Sequence, residues 1–261
     1  MPSTYAHYRF GVQIIPSLPA DVRRTIQRNR TLFDAGLQGP DPLFYYKPMS
    51  KNDIVPLASS FHRQTGREFF ERVCRKIRRH PTEETLAYLY GVLAHFCLDS
   101  LCHPFVNEMT KDGPVSHNEL ESEFERYLLR LDGVKRPFGI NRGIHLKLKK
   151  DQCAIPASFY PPVTAEQFYQ ALTSMAHTLY WLSGNTELYH GLADRVLKLM
   201  GGQNPGLLMR LKSNPTCSQY NSQMLAHFDT AVERFPVYLE QLRSHITFSE
   251  PLGEEFTAIF G

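Results

Sequence analysis

An apolar segment that carries regularly spaced ligand-type side chains dominates the first half of the chain. It includes the run His95-Phe-Cys-Leu-Asp99-Ser-Leu-Cys-His103, in which two imidazoles and a carboxylate follow each other at intervals of four residues. Residues four apart stand above one another on a helix, so these three side chains would share one face over about 12 Å. An otherwise apolar helix belongs in a protein core. The pattern therefore predicts a buried helix from Thr82 to His103 with polar groups along one side.

A second pair with the same spacing follows at His117 and Glu121. Burying several imidazoles and carboxylates without partners would cost several kcal/mol, and a bound cation is the usual remedy for such a converging set. A satisfied hydrogen-bond network, or a simple pair of His95 with Asp99, is the alternative for any one of them. The five together favour a metal site. Imidazole nitrogen and carboxylate oxygen suit zinc better than manganese or iron, and the histidines disfavour calcium and magnesium.

Three further residues of ligand type precede this helix, namely His7, Asp41 and His62. With them, the order of ligand-type residues over roughly residues 1 to 130 resembles the zinc-dependent phospholipase C and single-strand-specific nuclease superfamily. The chain is most similar to the leaderless, cytoplasmic, phospholipase C-like members. The resemblance implies an all-α fold, a compact multi-helix domain with a metal cluster in a cleft between helices.

The resemblance also implies a role for each ligand. The residues expected at a first zinc ion are Asp41, His62, His95 and Asp99. Those expected at a second ion are His103, His117 and Glu121. Asp99 would also bridge to a third ion, held by His7 and by the amine and carbonyl of the chain's first residue. The expected cofactor is therefore zinc, as two or three ions.

The start of the chain bears on that third ion. Residues 1 to 25 lack an apolar stretch of the kind found in signal peptides, so neither a leader nor a membrane span is expected there. Pro2 follows Met1, and a small second residue permits removal of the initiator methionine. The five cysteines are odd in number and show no framework spacing, which predicts reduced thiols in a cytoplasmic protein.

The rest of the chain predicts helices joined by loops rich in proline and glycine. Helices are expected for Ala20 to Gly36, for Gln64 to Arg79, and around residues 187–200 and 220–244. Two more are expected to begin at capping boxes, formed by Ser116 with Glu119 and by Thr164 with Gln167. A kink is expected at Pro236. The helix that begins at His117 is expected to bury Leu120, Phe124, Tyr127, Leu128 and Leu131. The chain divides into a metal-binding part (1–132), a connecting loop region (133–162) and a C-terminal helical part (163–261), expected to form one domain.

The expected function is hydrolysis of a phosphate ester, most simply a phosphodiester, by a phospholipase C-like zinc enzyme. A hydroxide bridging two zinc ions would attack phosphorus in line, and Asp41 would be the catalytic residue that orients or deprotonates the water. A nuclease or nucleotide phosphatase, and a non-catalytic metal-binding scaffold, are the alternatives. A di-iron redox bundle is disfavoured because such sites carry Glu-x-x-His pairs and more glutamates.

The substrate is expected to be a phospholipid head group or a nucleotide. A net charge of +3 is not typical of a dedicated nucleic-acid binder, so no stable nucleic-acid partner is expected. Two basic runs, at residues 75–79 and 147–150, could meet phosphate or an anionic membrane face, although such runs are more often solvated surface. The family's choline-specific phospholipases carry an aromatic residue directly after the aspartate. Pro42 stands there in this chain, which does not support choline specificity.

Overall fold

The fold is built from α-helices, as the sequence predicts. The structure, a computed structural model, describes residues 4–183, 186–199 and 206–260. The helices in these ranges are α1 (Thr4–Ile14), α2 (Ala20–Arg28), α3 (Arg30–Gly36), α4 (Ile54–His62), α5 (Gly66–Ile77), α6 (Glu83–Thr110), α7 (His117–Leu131), α8 (Ala154–Phe159), α9 (Ala165–Trp181), α10 (Glu187–Leu199), α11 (Pro215–Ser218) and α12 (Asn221–Phe248). No strand occurs within the described ranges, and a single antiparallel bridge joins Thr65 to Ile259.

Helix α6 is the centre of the fold. Its N-terminus is capped by the Thr82 hydroxyl, which accepts a hydrogen bond from the backbone N–H of Thr85. The helix is buried on most sides, and α3 and α12 pack against it most extensively. It continues beyond the predicted end at His103, through Pro104, to Thr110. By length and composition α6 could cross a membrane, but 78% of its most apolar window is buried inside the protein, so this is weak evidence for a span.

The backbones of α3 and α6 approach each other closely at two glycines. A Cβ added to Gly91 would lie 2.3 Å from the carbonyl oxygen of Phe33 and 2.8 Å from Cα of Gly36, distances that no real side chain tolerates. Gly91 lies one helical turn before His95. The close crossing therefore brings the turn that follows α3, which contains Asp41, next to the histidine on α6.

Two predicted segments differ from the structure. The expected helix from Ala20 to Gly36 is two helices, because the backbone leaves helical geometry at Asn29. The side-chain amide of Asn29 donates to the carbonyl of Thr25, 3.1 Å away, in the local bonding that makes asparagine favour helix ends. The region 133–162, expected as a loop, contains α8 and two short 3-10 turns at Pro137–Gly139 and Lys150–Cys153.

Other local predictions are confirmed. Both capping boxes form, at Ser116 with Glu119 and at Thr164 with Gln167. The predicted buried residues of α7 are correct for Leu120, Phe124 and Leu128, whereas Tyr127 is partly buried and Leu131 is 50% exposed. The helix ends at Leu131, and Leu129, one turn after the buried Glu125, is buried instead.

The C-terminal helix α12 packs along α6 and closes the core from the other side. It continues through Pro236 as one helix of 28 residues. The cysteines are free thiols and buried, as expected for small core residues, at Cys74, Cys97, Cys102, Cys153 and Cys217. Met1, Pro2 and Ser3 lie outside the described residues, so the expected metal ligand at the chain's first residue stays a prediction.

Candidate metal centre

All eight predicted ligand residues meet in one cluster. They come from α1, from the short turn after α3, from the end of α4, from α6 and from the first turns of α7. The eight residues are His7, Asp41, His62, His95, Asp99, His103, His117 and Glu121. They form three neighbouring groups, two of which share His95, and within each group one donor atom per residue lies within 4.8 Å of the others.

The first group contains Asp41, His62 and His95. Nε2 of His62 lies 2.9 Å from Oδ1 of Asp41, and the Nδ1 atom on the other side of its ring lies 2.7 Å from the carbonyl oxygen of Ala58. Nδ1 of His95 faces the carbonyl oxygen of Leu37 at 3.2 Å. A carbonyl oxygen only accepts, so Nδ1 carries a proton in both rings. Nε2 of His95, which forms no hydrogen bond among the described residues, keeps its lone pair, and Nε2 of His62 faces the carboxylate of Asp41. Zinc-binding histidines are commonly held in this way.

The second group joins Asp99 to His7 and His95. Nε2 of His7 lies 3.1 Å from Oδ1 of Asp99, and Nε2 of His95 lies 3.1 Å from Oδ2. The two imidazole rings stack with their centroids 4.4 Å apart. Asp99, which is expected at both the first and the third ion, is thus grouped with His7 and His95. His95 belongs to the first group as well as to the second.

The third group contains His103, His117 and Glu121. Oε1 of Glu121 lies 3.2 Å from Nε2 of His103 and 2.9 Å from Nε2 of His117. Nε2 of His103 is also 3.8 Å from Oδ1 of Asp99. The three groups are therefore continuous, and Asp99 lies at their centre.

The donor atoms fit bound cations better than a network of hydrogen bonds. Nε2 of His95 and Oδ2 of Asp99 are buried and 3.1 Å apart, yet neither atom forms a hydrogen bond within the described part of the chain. Oδ2 of Asp41 and Oε2 of Glu121 are also buried and have no hydrogen-bond partner among these residues. Each unsatisfied buried polar atom costs about 1–3 kcal/mol. These atoms face one another without forming hydrogen bonds, as expected if they share a bound cation. Imidazole nitrogen and carboxylate oxygen are ligands that zinc prefers.

The charges of the cluster follow from its burial and from its carboxylates. Burial lowers the pKa of His95 to about 4, despite the neighbouring Asp99, so this imidazole is neutral and ready to bind a metal. Burial alone would also lower the pKa of His103, but Asp99 and Glu121 outweigh it and raise the pKa to about 9. The pKa of Asp99 is held well below its usual range by His103, His95 and His7, against the opposing effect of burial. The hydrogen bonds from His103 and His117 contribute to lowering the pKa of Glu121.

The cluster forms the floor of an open cleft. A cavity of about 460 Å³ is lined by five of the donor residues, namely Asp41, His62, Asp99, His103 and His117. Phe44 and Ile259 form its apolar side, and the ring of Phe44 lies 5.1 Å from that of His62. The side chain of His117 is 31% exposed, more than that of any other donor. A ligand entering from solvent therefore meets the His117 group first.

Two residues that support the site were not predicted from the sequence. Glu125, one helical turn after Glu121, accepts a hydrogen bond from the backbone N–H of Tyr5 and forms an ion pair with the buried Arg142. These bonds hold the start of α1, and thereby His7, against α7. The repeated spacing from Glu121 to Glu125 is a possible sequence signal for the glutamate. Nothing in the local sequence marks Arg142, which comes from a loop.

The comparison with protein families agrees with this geometry. A family model described as zinc dependent phospholipase C matches residues 6–181, a range that contains all eight donors and extends to the end of α9. The chain therefore belongs to the zinc-dependent phospholipase C family, whose members are zinc-dependent phosphoester hydrolases. No curated protein and no solved structure gives a significant match.

Proposed function

We propose that this protein is a phospholipase C-like phosphodiesterase that hydrolyses the phosphodiester of a phospholipid head group. The observation that carries the proposal is the row of buried donor atoms without hydrogen-bond partners at the floor of an open cleft. A purely structural metal site is closed, whereas a catalytic one leaves a position for water or substrate. The open cavity favours catalysis over a scaffold whose cleft is blocked.

Zinc, when bound, supplies Lewis acidity and lowers the pKa of water to about 7. The chain's own residues supply orientation and proton transfer. Asp41 is fully buried at the cleft floor, and one of its oxygens is fixed by Nε2 of His62, which the carbonyl of Ala58 holds in turn. Its other oxygen has no hydrogen-bond partner among the residues that the structure describes. We assign to this oxygen the role of orienting the attacking water and accepting its proton.

The His103, His117 and Glu121 group lies across the same cleft, on the side nearest to solvent. Its two imidazoles are fixed by one carboxylate oxygen, Oε1 of Glu121. Because these imidazoles are already held in place, they need not reorganise when negative charge develops during the reaction. We propose that this side of the cleft binds the non-bridging or leaving oxygen of the phosphate.

A substrate panel tests the proposal. Zinc-loaded protein is assayed with phosphatidylcholine micelles, single-stranded DNA, a chromogenic phosphodiester and a chromogenic phosphomonoester. We expect hydrolysis of the chromogenic phosphodiester, loss of this activity in chelator and its recovery on addition of zinc. Activity on DNA or on the monoester alone would favour the nuclease or nucleotide phosphatase. No hydrolysis of any ester by the metal-replete protein would favour the scaffold.

We further propose a cytoplasmic location and peripheral contact with a lipid surface. The buried free cysteines support the first proposal. Only the remaining side chains of the two basic runs are available for the second, because parts of both runs are engaged within the protein. Lys76 and Arg78 donate to backbone oxygens of Ser158 and His245, and Lys150 pairs with Glu166. A comparison of turnover on vesicles with turnover on a water-soluble diester tests the membrane contact.

A further inference from the structure

A second ring of polar side chains surrounds the metal donors on the cleft wall. Its members line the same cavity as the donors and follow or precede one of them by one, three or four residues: Ser59, Arg63, Asn107 and Asn118. Arg63 directly follows His62 at the end of α4, and Asn107 lies one turn after His103 on α6. The ring contains no acidic side chain. Its one charged member is the guanidinium of Arg63.

The side chain of Arg63 is exposed and makes no hydrogen bond or ion pair among the residues that the structure describes. Neighbouring arginines behave differently. Arg67 donates to the carbonyl oxygens of Leu252 and Gly253, and Arg72 donates to that of Phe159. Arg63 therefore keeps its planar set of donors available at the cleft wall, and this geometry matches carboxylate and phosphate groups.

The acidic residues of the cavity also favour an anionic head group. The carboxylates that line it are Asp41 and Asp99, and both belong to the metal cluster. None of the described lining residues leaves a carboxylate for a positively charged head group. A cationic head group would therefore find no counter-charge on this wall, whereas an anionic one would meet the guanidinium of Arg63.

We propose that Arg63 is a specificity-determining residue that binds a second anionic group, a carboxylate or a further phosphate, on the head group of the phosphodiester substrate. The proposal rests on the proposed function, because it assumes that a phosphate occupies the metal cluster. It assigns to the cleft a class of substrate, phosphodiesters with an additional negative charge, and excludes choline esters as preferred substrates.

Binding of three small phosphate monoesters to the zinc-loaded protein tests this assignment. Ethyl phosphate, phosphoglycolate and phosphocholine present the same phosphate with a neutral, an anionic and a cationic group. Calorimetry should find phosphoglycolate bound about five-fold more tightly than ethyl phosphate, as expected for one partly exposed charge pair, and phosphocholine bound most weakly. In Arg63→Gln, the ratio of the dissociation constants for ethyl phosphate and phosphoglycolate should fall to about one.

Arg24→Gln is the matched control, since Arg24 is an exposed arginine on α2 that lies outside the cavity lining. It should leave the wild-type ratio unchanged. Equal binding of phosphoglycolate and ethyl phosphate by the wild type, or an unchanged ratio in Arg63→Gln, would overturn the assignment. The measurement is independent of turnover, so an Arg63-dependent preference in a protein without phosphodiesterase activity would refute the proposed function while retaining the anion site.

Two substrates then distinguish the source of the second anion. Glycerophosphoinositol 4-phosphate and a 5′-phosphorylated dinucleotide are both phosphodiesters that carry a further phosphate. Faster turnover of the first identifies a lipid head group, and faster turnover of the second identifies a nucleotide. Arg63→Gln should slow the turnover of the faster substrate, and unchanged turnover of that substrate in this variant would contradict the role of Arg63.

Discussion

The backbone of Gly39 lies against the imidazole ring of His95. A Cβ at position 39 would be 2.3 Å from Cδ2 and 2.6 Å from Nε2 of the histidine. Gly39 also has a φ of 50°, a left-handed conformation that glycine adopts without strain. It precedes Asp41 by two residues in the same turn. One backbone position thus fixes the ring of His95 and directs the chain so that Asp41 reaches the cluster.

We expect Gly39→Ala to lose at least one zinc equivalent, because the new methyl group would displace the His95 ring from its donor position. The left-handed backbone adds a cost of about 1–2 kcal/mol. Gly133→Ala is the matched control. Gly133 has a φ of 81°, but a Cβ there meets nothing within 4 Å, so the variant carries the backbone strain without the clash. Zinc content and thermal unfolding measured on both variants separate the two effects. Equal zinc content in the two would contradict the prediction.

The sequence predicted those parts of the site that depend on local spacing. The donors of α6 and α7 repeat every four residues, and a capping box fixes the start of α7 at His117, so helical geometry alone places them on one face. His7, Asp41 and His62 have no such pattern, and only their order along the chain pointed to the family. Their convergence depends on packing between separate segments, such as the close crossing of α3 over α6.

Contacts between distant segments could not be predicted. Gly39 was not identified because its importance depends on a ring 56 positions further along the chain. Arg142 was missed because its partner Glu125 lies on another element. The exposure of Leu131 has a similar origin. Periodicity identifies the apolar face of a helix, but it does not show at which residue other elements stop packing against that face.

Substituting His103 by alanine should remove one zinc ion and most of the activity. His103 shares Oε1 of Glu121 with His117 and links this group to Asp99, so its loss breaks the third group. The helical signal in circular dichroism should change little, because alanine favours helices. His177→Ala, at an exposed histidine of α9, is the control. Full zinc content and full turnover in His103→Ala would show that this group does not hold an ion.

Asp41→Asn should lower kcat by about 10²-fold or more if Asp41 accepts a proton during the reaction. The amide keeps the size of the carboxylate but lacks its charge and basicity. Zinc content must be measured alongside kcat, because Asp41 is also a predicted zinc ligand. A loss of kcat at unchanged zinc content supports a catalytic role. An unchanged kcat would leave Asp41 as a positioning residue.

Glu125→Gln should destabilise the protein by about 3 kcal/mol, because it leaves the buried Arg142 without its counter-ion. It also weakens the bond to the backbone of Tyr5 that holds the start of α1. Glu83→Gln removes a different ion pair, with Arg28, in which both side chains are at least half exposed. That control should cost less than about 1 kcal/mol. Urea unfolding measures both, and equal losses would contradict the supporting role of Glu125.

The stability of the metal-free protein should depend on pH through His103. Its pKa is raised from 6.5 to about 9 by Asp99 and Glu121, against the effect of burial. The folded state therefore holds the proton more tightly than the unfolded state. This contribution is fully present below about pH 6.5 and is lost as the pH rises through 9.

His103→Gln isolates this contribution, because glutamine does not titrate. In chelator, the wild type should be more stable than His103→Gln at pH 6, and the difference in free energy of unfolding should shrink steadily up to about pH 9.5. Urea unfolding at pH 6, 8 and 9.5 measures it. His177→Ala corrects for the general effect of removing an imidazole from the surface. A difference that stays constant over this range would mean that Asp99 and Glu121 do not hold a proton on His103 in the absence of metal.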